Sequence, residues 1–445
     1  MDTGLKVRLS IKSLSVYRSL LESEVIQKLY LLMECMGENR HDSIKLVDHY
    51  CSFFHALINS MPGRMACLDE YIIEKILFDE NVFTSLCEHR EYGEIDSNLL
   101  DAVKNDLQNL QVIAGLSSDA VKQSIIDGTG TFINLPVWSS VKFNNSVCSA
   151  KSERPCEELG KILLSSDCWQ DCIESLYGFY STKGTGIMAK YKAFVWHRSN
   201  GEGFLKGIDY PDPIVLSDLI GYEAERSEVI DNTLQFLNGF TANNVLLYGD
   251  RGTGKSSTVK AVLNEYHDRG LRLVEVPKIH LVDFPEIIGL LRDRKQKFII
   301  FVDDLVFEDN EENYTALKAA LEGGIEAKPV NVLIYATSNR RHLIKERFSD
   351  RSGLMSGNYD DEVRSADTLQ EKLSLSDRFG ITVVFSSPDK QKYLQIVEGL
   401  ADKRGIKYDR EQLHREALKW ELWYNGRSPR TARQFIDWLE GQNGE

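Results

Sequence analysis

A glycine-rich stretch at residues 249–256 carries residue types that bind phosphate, in the order Gly-Asp-Arg-Gly-Thr-Gly-Lys-Ser. A loop can wrap a phosphate chain with its backbone N–H groups only where no Cβ obstructs its turns, so glycines are needed at this spacing. Lys255 can reach the β- and γ-phosphates, and the hydroxyl of Ser256 can bind Mg²⁺. The residues expected to contact a nucleotide here are Gly249, Gly252, Thr253, Gly254, Lys255, Ser256 and Ser257.

Two carboxylates follow the apolar run at residues 298–302. Such a run predicts a buried strand, and ligands of open α/β sheets bind at the carboxyl ends of the strands. Asp303 is therefore placed to hold Mg²⁺, a cation that keeps oxygen ligands, and Asp304 is then free to polarise an attacking water. Paired acids at a strand end are often solvated turn residues, but a position about 50 residues after a phosphate loop favours the chemical role.

Two further side chains could act on the same phosphates. Asn339 ends the run Tyr-Ala-Thr-Ser-Asn after another apolar segment. Asn339 or Thr337 could orient the attacking water, and the alternative is a simple strand-ending turn. Arg378, in a polar loop before the last predicted strand, offers a planar, permanently charged donor set that can stabilise charge spreading over the γ-phosphate. A surface ion pair is the alternative role for this arginine.

The elements around these residues alternate between strands and helices. The runs that predict strands are 245–248, 271–276, 297–302, 330–336 and 381–385, and the alternation at 191–196 predicts a short strand ahead of them. This alternation predicts an α/β fold with a parallel sheet and helices on both of its faces. The chain then divides into a helical N-terminal domain (1–180), a linker (181–215), an α/β nucleotide-binding domain (216–388) and a C-terminal helical module (389–445).

The composition of the chain disfavours nucleic acid and membrane as partners. The formal net charge is −14 and the pI is near 5.3, which removes the simplest electrostatic reason to expect nucleic-acid binding. Mean hydropathy is −0.30, and no apolar run approaches the ~20 residues that span a bilayer. The first residues show no secretory signal pattern. We therefore expect a soluble, cytoplasmic protein.

With these residues assembled, the chain resembles the AAA+ ATPases and, over residues 213–397, the bacterial P-loop ATPase family called domain of unknown function 815. The stretches that carry the resemblance are 218–222, 244–257, 297–304, 331–343 and 371–380. The resemblance implies a P-loop NTPase fold with a parallel five-stranded sheet in the order 5-1-4-3-2, followed by a C-terminal helical lid. It also implies ATP and Mg²⁺ as cofactors and a homo-oligomer as the working assembly.

The resemblance assigns roles to individual residues. The matches to the Walker A and Walker B motifs are Gly249, Gly254, Lys255 and Ser256 for the first, and Asp303 and Asp304 for the second. Asn339 matches sensor 1, and Arg378 matches the arginine finger that acts on the ATP of a neighbouring subunit. Arg430 matches sensor 2, although Arg433 fits the same role. The residues that fall where adenine contacts lie are Ile220 and Gly221.

Two functions from different classes follow. The first is an Mg²⁺-dependent ATPase whose ATP binding and hydrolysis remodel or release a macromolecular partner recognised by the N-terminal domain. The second is a nucleotide-gated switch or loader that acts on nucleic acid or a protein complex with little steady-state hydrolysis. Asp304 stands where most AAA+ members have Glu, which favours slow turnover. Nucleic acid is a partner that the acidic composition does not favour, and no membrane partner is expected.

Overall fold

The computed structural model describes residues 3–37, 42–61, 67–129, 134–138, 156–305, 311–322, 329–339, 378–424 and 426–443. Residues 340–343 and 371–377, which carry part of the resemblance, lie outside the described residues. The chain divides into two compact units, Met1–Lys190 and Tyr191–Glu445. Among the helices that are described, none has both the length and the apolar character needed to cross a membrane.

The first unit is helical, which confirms the fold class predicted for the N-terminal region. Its described helices are α1 (Thr3–Lys12), α2 (Glu24–Met36), α3 (Ser43–Ser60), α4 (Leu68–Leu77), α5 (Val82–His89), α6 (Ser97–Ala114), α7 (Ser118–Thr129), α8 (Cys156–Ser165), α9 (Ile173–Lys183) and α10 (Gly186–Lys190). Side chains cap the N-termini of several of these helices. Asp42 accepts from the backbone of Ile44 at the start of α3, and Asn81 and Thr84 form a capping box at the start of α5.

A buried carboxylate joins two segments of this helical unit. Asp106, on α6, is fully buried and accepts hydrogen bonds from the backbone N–H groups of Ser15, Val16 and Tyr17 at 2.7–3.1 Å. Tyr17 is also fully buried, and its phenol oxygen lies 3.3 Å from that of Tyr180 on α9. Apolar side chains at helical spacing pack around these contacts and form one core.

The second unit is built on a seven-stranded sheet in the order β2-β1-β4-β5-β6-β3-β7. The strands are β1 (Ala193–Ser199), β2 (Glu202–Gly207), β3 (Val245–Gly249), β4 (Leu271–Glu275), β5 (Lys297–Val302), β6 (Val332–Ser338) and β7 (Ile381–Phe385). The run β7-β3-β6-β5-β4 is parallel throughout, and it has the 5-1-4-3-2 arrangement that the resemblance implies. The prediction of an AAA+ P-loop fold is thus confirmed at the level of strand order.

Two additional strands correct the predicted five-stranded sheet. β1 pairs with β4 in parallel and with β2 in antiparallel register, so the sheet is mixed. Asn200 and Gly201 connect β1 to β2 with φ angles of 53° and 88°, and a type I′ hairpin turn requires positive φ at both positions. The sequence prediction placed one short strand, 191–196, in a linker, whereas residues 193–207 form two strands that extend the sheet at its edge. The Asn-Gly pair is the sequence signal for this hairpin.

Burial on both faces explains why the central strands are continuously apolar. Residues 298–302 of β5 and all of β6 are buried, although successive side chains point to opposite faces. The helices of this unit are α11 (Glu223–Leu237), α12 (Lys255–Tyr266), α13 (Phe284–Arg292), α14 (Glu311–Glu322), α15 (Lys390–Lys403), α16 (Arg410–Trp423) and α17 (Pro429–Asn443). The last three helices share a buried core with β3 and β6 through Tyr393, Leu413 and Phe435.

The order of the strands positions the predicted site. β6 lies between β3 and β5, and all three run in the same direction. Their carboxyl ends therefore meet at one edge of the sheet, which is where open α/β sheets bind ligands. Residues 249–256 follow β3, the two carboxylates 303–304 follow β5, and Asn339 follows β6.

Candidate functional site

The glycine-rich loop begins where β3 ends and passes into α12. A Cβ at Gly249 would lie 2.0 Å from the carbonyl oxygen of Phe385, and a Cβ at Gly252 would lie 3.1 Å from the Cβ of Arg430. Both glycines have positive φ angles, 139° and 76°. The backbone N–H of Asp250 donates to the Phe385 carbonyl at 3.0 Å. The loop is thus held between β7 and the start of α17 in a conformation that side chains would strain.

Lys255 is the first residue of α12 and is buried, with 6% of it exposed. Its ammonium donates to the loop carbonyls of Gly249 at 2.9 Å and Asp250 at 2.7 Å, and to Oδ1 of Asn339 at 3.1 Å. Burial lowers the pKa of Lys255. Three carboxylates oppose that shift: Asp250, Asp303 and Asp304. The site therefore presents a cation beside the N-terminus of a helix, where anions bind.

The other loop residues support this arrangement. Thr253 is buried, and its hydroxyl donates to the Asp250 carbonyl at 2.9 Å. Gly254 precedes α12 with a φ of 95°. Ser257, in the first turn of α12, is half-buried. The predicted nucleotide-contacting residues thus form one continuous loop and helix start.

Asp303 receives three hydrogen bonds at the carboxyl end of β5. Its Oδ1 accepts from Ser256 Oγ at 2.6 Å, from Thr337 Oγ1 at 2.5 Å and from the backbone N–H of Asp304 at 3.1 Å. None of the described residues donates a hydrogen bond to its Oδ2. The structure brings together the hydroxyl and the carboxylate predicted to hold Mg²⁺. Both supply oxygen donors, which suit this cation.

Asp304 lies beside the predicted water-orienting amide. Its Oδ1 accepts from Asn339 Nδ2 at 2.6 Å, and its Oδ2 lies 3.4 Å from Lys278 Nζ. Its backbone N–H donates to Thr337 Oγ1 at 2.8 Å, and its φ of 51° is unusual for a residue with a side chain. Because Asn339 also accepts from Lys255, one amide connects the loop lysine with the second carboxylate.

Ile220 and Gly221 lie against the start of α15. Together with residues of that helix and its approach they line a cavity of about 370 Å³, whose other lining residues are Glu223, Asp389, Gln391, Lys392, Gln395 and Ile396. A Cβ at Gly221 would lie 3.1 Å from the Ile396 side chain, so the loop and the helix pack closely. The rings of Tyr222 and Phe385 pack at a tilt of 30° with centroids 5.5 Å apart, and the Phe385 carbonyl holds the glycine-rich loop.

The arginines of α17 differ in what they contact. The backbone N–H of Arg430 donates to the Gly252 carbonyl at 3.2 Å, so the start of α17 touches the glycine-rich loop. Arg433 is exposed and lies near Asp218: burial raises the pKa of that carboxylate, while hydrogen bonds from Lys403 and the Val215 backbone and the charges of Lys403 and Arg433 together lower it by a larger amount. Of the two arginines considered for one role, Arg430 is the one beside the loop.

Arg378 lies at the other end of the sheet. It precedes β7, and Gly249 is paired with Phe385 at the far end of that strand. Since β7 alone spans roughly 13 Å at ~3.3 Å per residue, Arg378 is separated from the glycine-rich loop by at least one strand length. The structure therefore does not bring Arg378 together with the other predicted site residues of its own chain.

The sequence offered Thr337 as an alternative to Asn339 for orienting the water, whereas Lys278 was not singled out from the sequence. Thr337 had a detectable signal, because it places a hydroxyl at the end of an apolar strand two residues before Asn339. Lys278 had none, since it stands 26 residues before Asp304 and only the pairing of β4 with β5 brings the two together.

None of the curated proteins matches the chain. The chain is similar to the Thermotoga maritima RuvB Holliday junction branch migration motor, with 16% identity, a TM-score of 0.35, and coverage of 51% of this chain and 63% of that chain. It is also similar to the FIGL-1 AAA domain in complex with ADP, with 20% identity, a TM-score of 0.33, and coverage of 50% and 70%. The chain thus spans less than two thirds of the RuvB structure.

A family model gives a more extensive match. The model described as protein of unknown function (DUF815) matches residues 189–443, which comprise more than half of the chain. That range contains the complete sheet, the glycine-rich loop and the three C-terminal helices. The chain therefore belongs to the DUF815 family, and its parallel strand order with a glycine-rich loop after β3 is that of a P-loop fold.

Proposed function

We propose that this protein is an Mg²⁺-dependent ATPase that couples ATP binding and hydrolysis to the remodelling or release of a macromolecular partner. One observation carries the proposal: Lys255, Asp303 and Asn339 lie within one hydrogen-bonded network at the carboxyl ends of three parallel strands. A phosphate loop, a cation-binding carboxylate and a water-orienting amide are the parts that phosphoryl transfer to water requires.

Each side chain has a role that follows from its position. Lys255 and the loop N–H groups bind the β- and γ-phosphates, while Ser256 and Asp303 hold Mg²⁺ through a hydroxyl and a carboxylate. When bound, Mg²⁺ neutralises charge that develops on the phosphate oxygens. Asp304 polarises the attacking water, and Asn339 orients it, since the amide already contacts both Asp304 and Lys255.

The cavity beside Ile220 and Gly221 supports a purine base as part of the ligand. It has an apolar wall from Ile220 and Ile396 and polar groups from the first turns of α15. Tyr222 and Phe385 connect this cavity to the glycine-rich loop through packing and a backbone hydrogen bond. In this assignment α15, α16 and α17 act as the lid, with Arg430 as its contact to the phosphates.

A second copy of the chain completes the site. Arg378 precedes β7 while the loop follows β3, so this arginine stands at the opposite edge of the sheet from the phosphates of its own chain, and we assign it to the nucleotide of a neighbour. We assign recognition of the partner to the helical unit Met1–Lys190, which contains none of the proposed nucleotide-binding residues. The working form is then a homo-oligomer with the partner bound by its N-terminal units.

A nucleotide-gated switch with little hydrolysis is the alternative function. It is favoured by the position of Asp304, whose two oxygens are occupied by Asn339 and Lys278 rather than facing water alone. An aspartate also reaches less far than a glutamate, so the water would be activated less efficiently. Measured turnover separates the two functions, since the switch requires ATP binding without steady-state phosphate release.

The proposal is tested by calorimetric titration with ATP and by phosphate release. Lys255→Ala should lose ATP affinity, whereas Asp304→Asn should bind ATP and lose about 10²–10⁴-fold in turnover, the range for a general base. Lys260→Ala is the matched control, because Lys260 lies on the same helix but its ammonium is paired with Asp212. ATP binding that is absent in the wild type, or unchanged in Lys255→Ala, would contradict the proposal.

A further inference from the structure

Thr337 occupies a bridging position in the site that none of the roles above explains. It is the sixth residue of β6 and is 1% exposed. Its hydroxyl lies 2.5 Å from Asp303 Oδ1 and 2.8 Å from the backbone nitrogen of Asp304. One side chain from β6 thus contacts both of the consecutive carboxylate residues that follow β5.

The direction of these hydrogen bonds is determined by their chemistry. The backbone N–H of Asp304 can only donate, so the Thr337 oxygen accepts from it. The hydroxyl has a single proton, which is then donated to Asp303 Oδ1. Thr337 therefore acts as a directed bridge from the backbone of Asp304 to the carboxylate of Asp303.

This bridge determines which oxygen of Asp303 is available. Ser256 Oγ and the Asp304 backbone also donate to Oδ1, so that three donors converge on one oxygen. In the described part of the chain no donor meets Oδ2. The carboxylate is thus held in one orientation, with Oδ2 left to a cation or to water bound by that cation.

We propose that Thr337 is the positioning residue of the Mg²⁺ site, acting through Asp303 and not on the nucleotide itself. The inference rests on the proposed function, because it assumes that Asp303 binds Mg²⁺. It adds that the affinity for Mg²⁺ depends on a hydroxyl in β6, a strand that supplies no ligand of its own. Hydrogen-bond partners of metal ligands commonly contribute 10–100-fold to metal affinity.

The test compares Thr337→Val, which removes the hydroxyl at similar volume, with Thr337→Ser, which keeps it. A fluorescent ATP analogue is titrated in EDTA and then at rising Mg²⁺ concentration, so that binding and not turnover is read. Thr337→Val should bind the analogue normally in EDTA but require about 10–100-fold more Mg²⁺ for half-maximal enhancement of affinity. Thr337→Ser should restore the wild-type Mg²⁺ midpoint.

Thr233→Val is the matched control for a purely structural loss. Thr233 is also buried, and its hydroxyl bonds to the Val229 carbonyl and to Tyr335 of β6, outside the candidate site. This variant should lower thermal stability and leave the Mg²⁺ midpoint unchanged. If the Val variant does not fold, Thr337→Cys replaces it, and its weak thiol donor should shift the midpoint in the same direction.

The outcomes separate this inference from the proposed function. A wild type that binds no ATP analogue, or binds it without any effect of Mg²⁺, contradicts the proposed function and this inference with it. A wild type with Mg²⁺-dependent binding and a Thr337→Val variant with the same midpoint overturns this inference alone. A midpoint that shifts equally in Thr337→Ser also overturns it, since the hydroxyl would then not be the cause.

Discussion

Mixing two inactive variants should restore ATP hydrolysis, because the proposed site draws residues from two copies of the chain. Lys255 stands at the start of α12, beside the carboxyl end of β3, whereas Arg378 precedes the first residue of β7. β7 separates Arg378 from the edge of the sheet where the loop lies; it spans roughly 13 Å, and Arg378 lies three residues before its first residue. An arginine side chain does not cover that separation, so Arg378 acts on a neighbour or not at all.

The expected magnitudes follow from this geometry. Arg378→Ala alone should lower turnover by about 10³–10⁵-fold, the range for an arginine that stabilises the transferred phosphoryl group. Lys255→Ala alone should be inactive through lost ATP binding. In an equimolar mixture with head-to-tail contacts, a site works when its own subunit keeps Lys255 and its neighbour keeps Arg378, which applies to about one quarter of the sites.

Phosphate release is measured as the mixing ratio and the total protein concentration are varied. Activity should be maximal near equal amounts and should rise with concentration, since the active unit must assemble. Arg415→Ala is the control, because Arg415 is exposed on α16 and remote in sequence from the site. The reasoning is refuted if Arg378→Ala keeps wild-type turnover, or if the mixture stays as inactive as its components.

Three further predictions address neighbouring features. Lys278→Met should free Asp304 from its ion pair and raise basal phosphate release by up to about 5-fold, because the pair is exposed and such pairs contribute at most about 1 kcal/mol. A fall of about tenfold in phosphate release would contradict this prediction. Gly252→Ala should lower the free energy of unfolding by about 1–3 kcal/mol because Gly252 has a positive φ. Gly289→Ala should raise it by roughly 0.5–1 kcal/mol, because Gly289 lies in α13 with open space around it. Thermal denaturation compares the two variants, and equal effects would contradict this prediction. Burial raises the pKa of Tyr335 to about 12, so the contribution of its neutral phenol to stability is complete below about pH 10 and lost toward pH 12. In alkaline denaturation, Tyr335→Phe should therefore lose stability less steeply over that range than the wild type. Identical slopes would contradict this prediction.

The glycine-rich loop was predictable because its requirements are local. Gly249 and Gly252 take positive φ angles within a short segment, and Lys255 and Ser256 follow at fixed spacing, so neighbouring residues carry the whole signal. The first strand of the edge hairpin was predicted, but its turn and second strand were missed although Asn200 and Gly201 carried a local signal for them. The second strand is short and contains Gly203 and Gly207, which resembles linker composition more than strand composition.

The contacts of Asp304 were not predictable in the same way. Its partner Lys278 lies on a different connection of the sheet, and nothing in the spacing between the two residues indicates a contact. Thr337 contacts both carboxylate residues only because β6 is the neighbour of β5. Strand order depends on the packing of the whole sheet, so the residues of a single segment do not predict it.

The amino-acid sequence alone determined which chemistry this protein is equipped for, since residue types and short spacings decide whether a loop can bind phosphate and whether a strand ends in carboxylates. The tertiary structure decided which atoms meet. Lys255 and Asn339 are 84 residues apart and share a hydrogen bond because β3 and β6 are parallel neighbours. Arg378 is excluded from the same site because β7 runs in that direction too, which places the residues before a strand and the residues after it at opposite edges of the sheet.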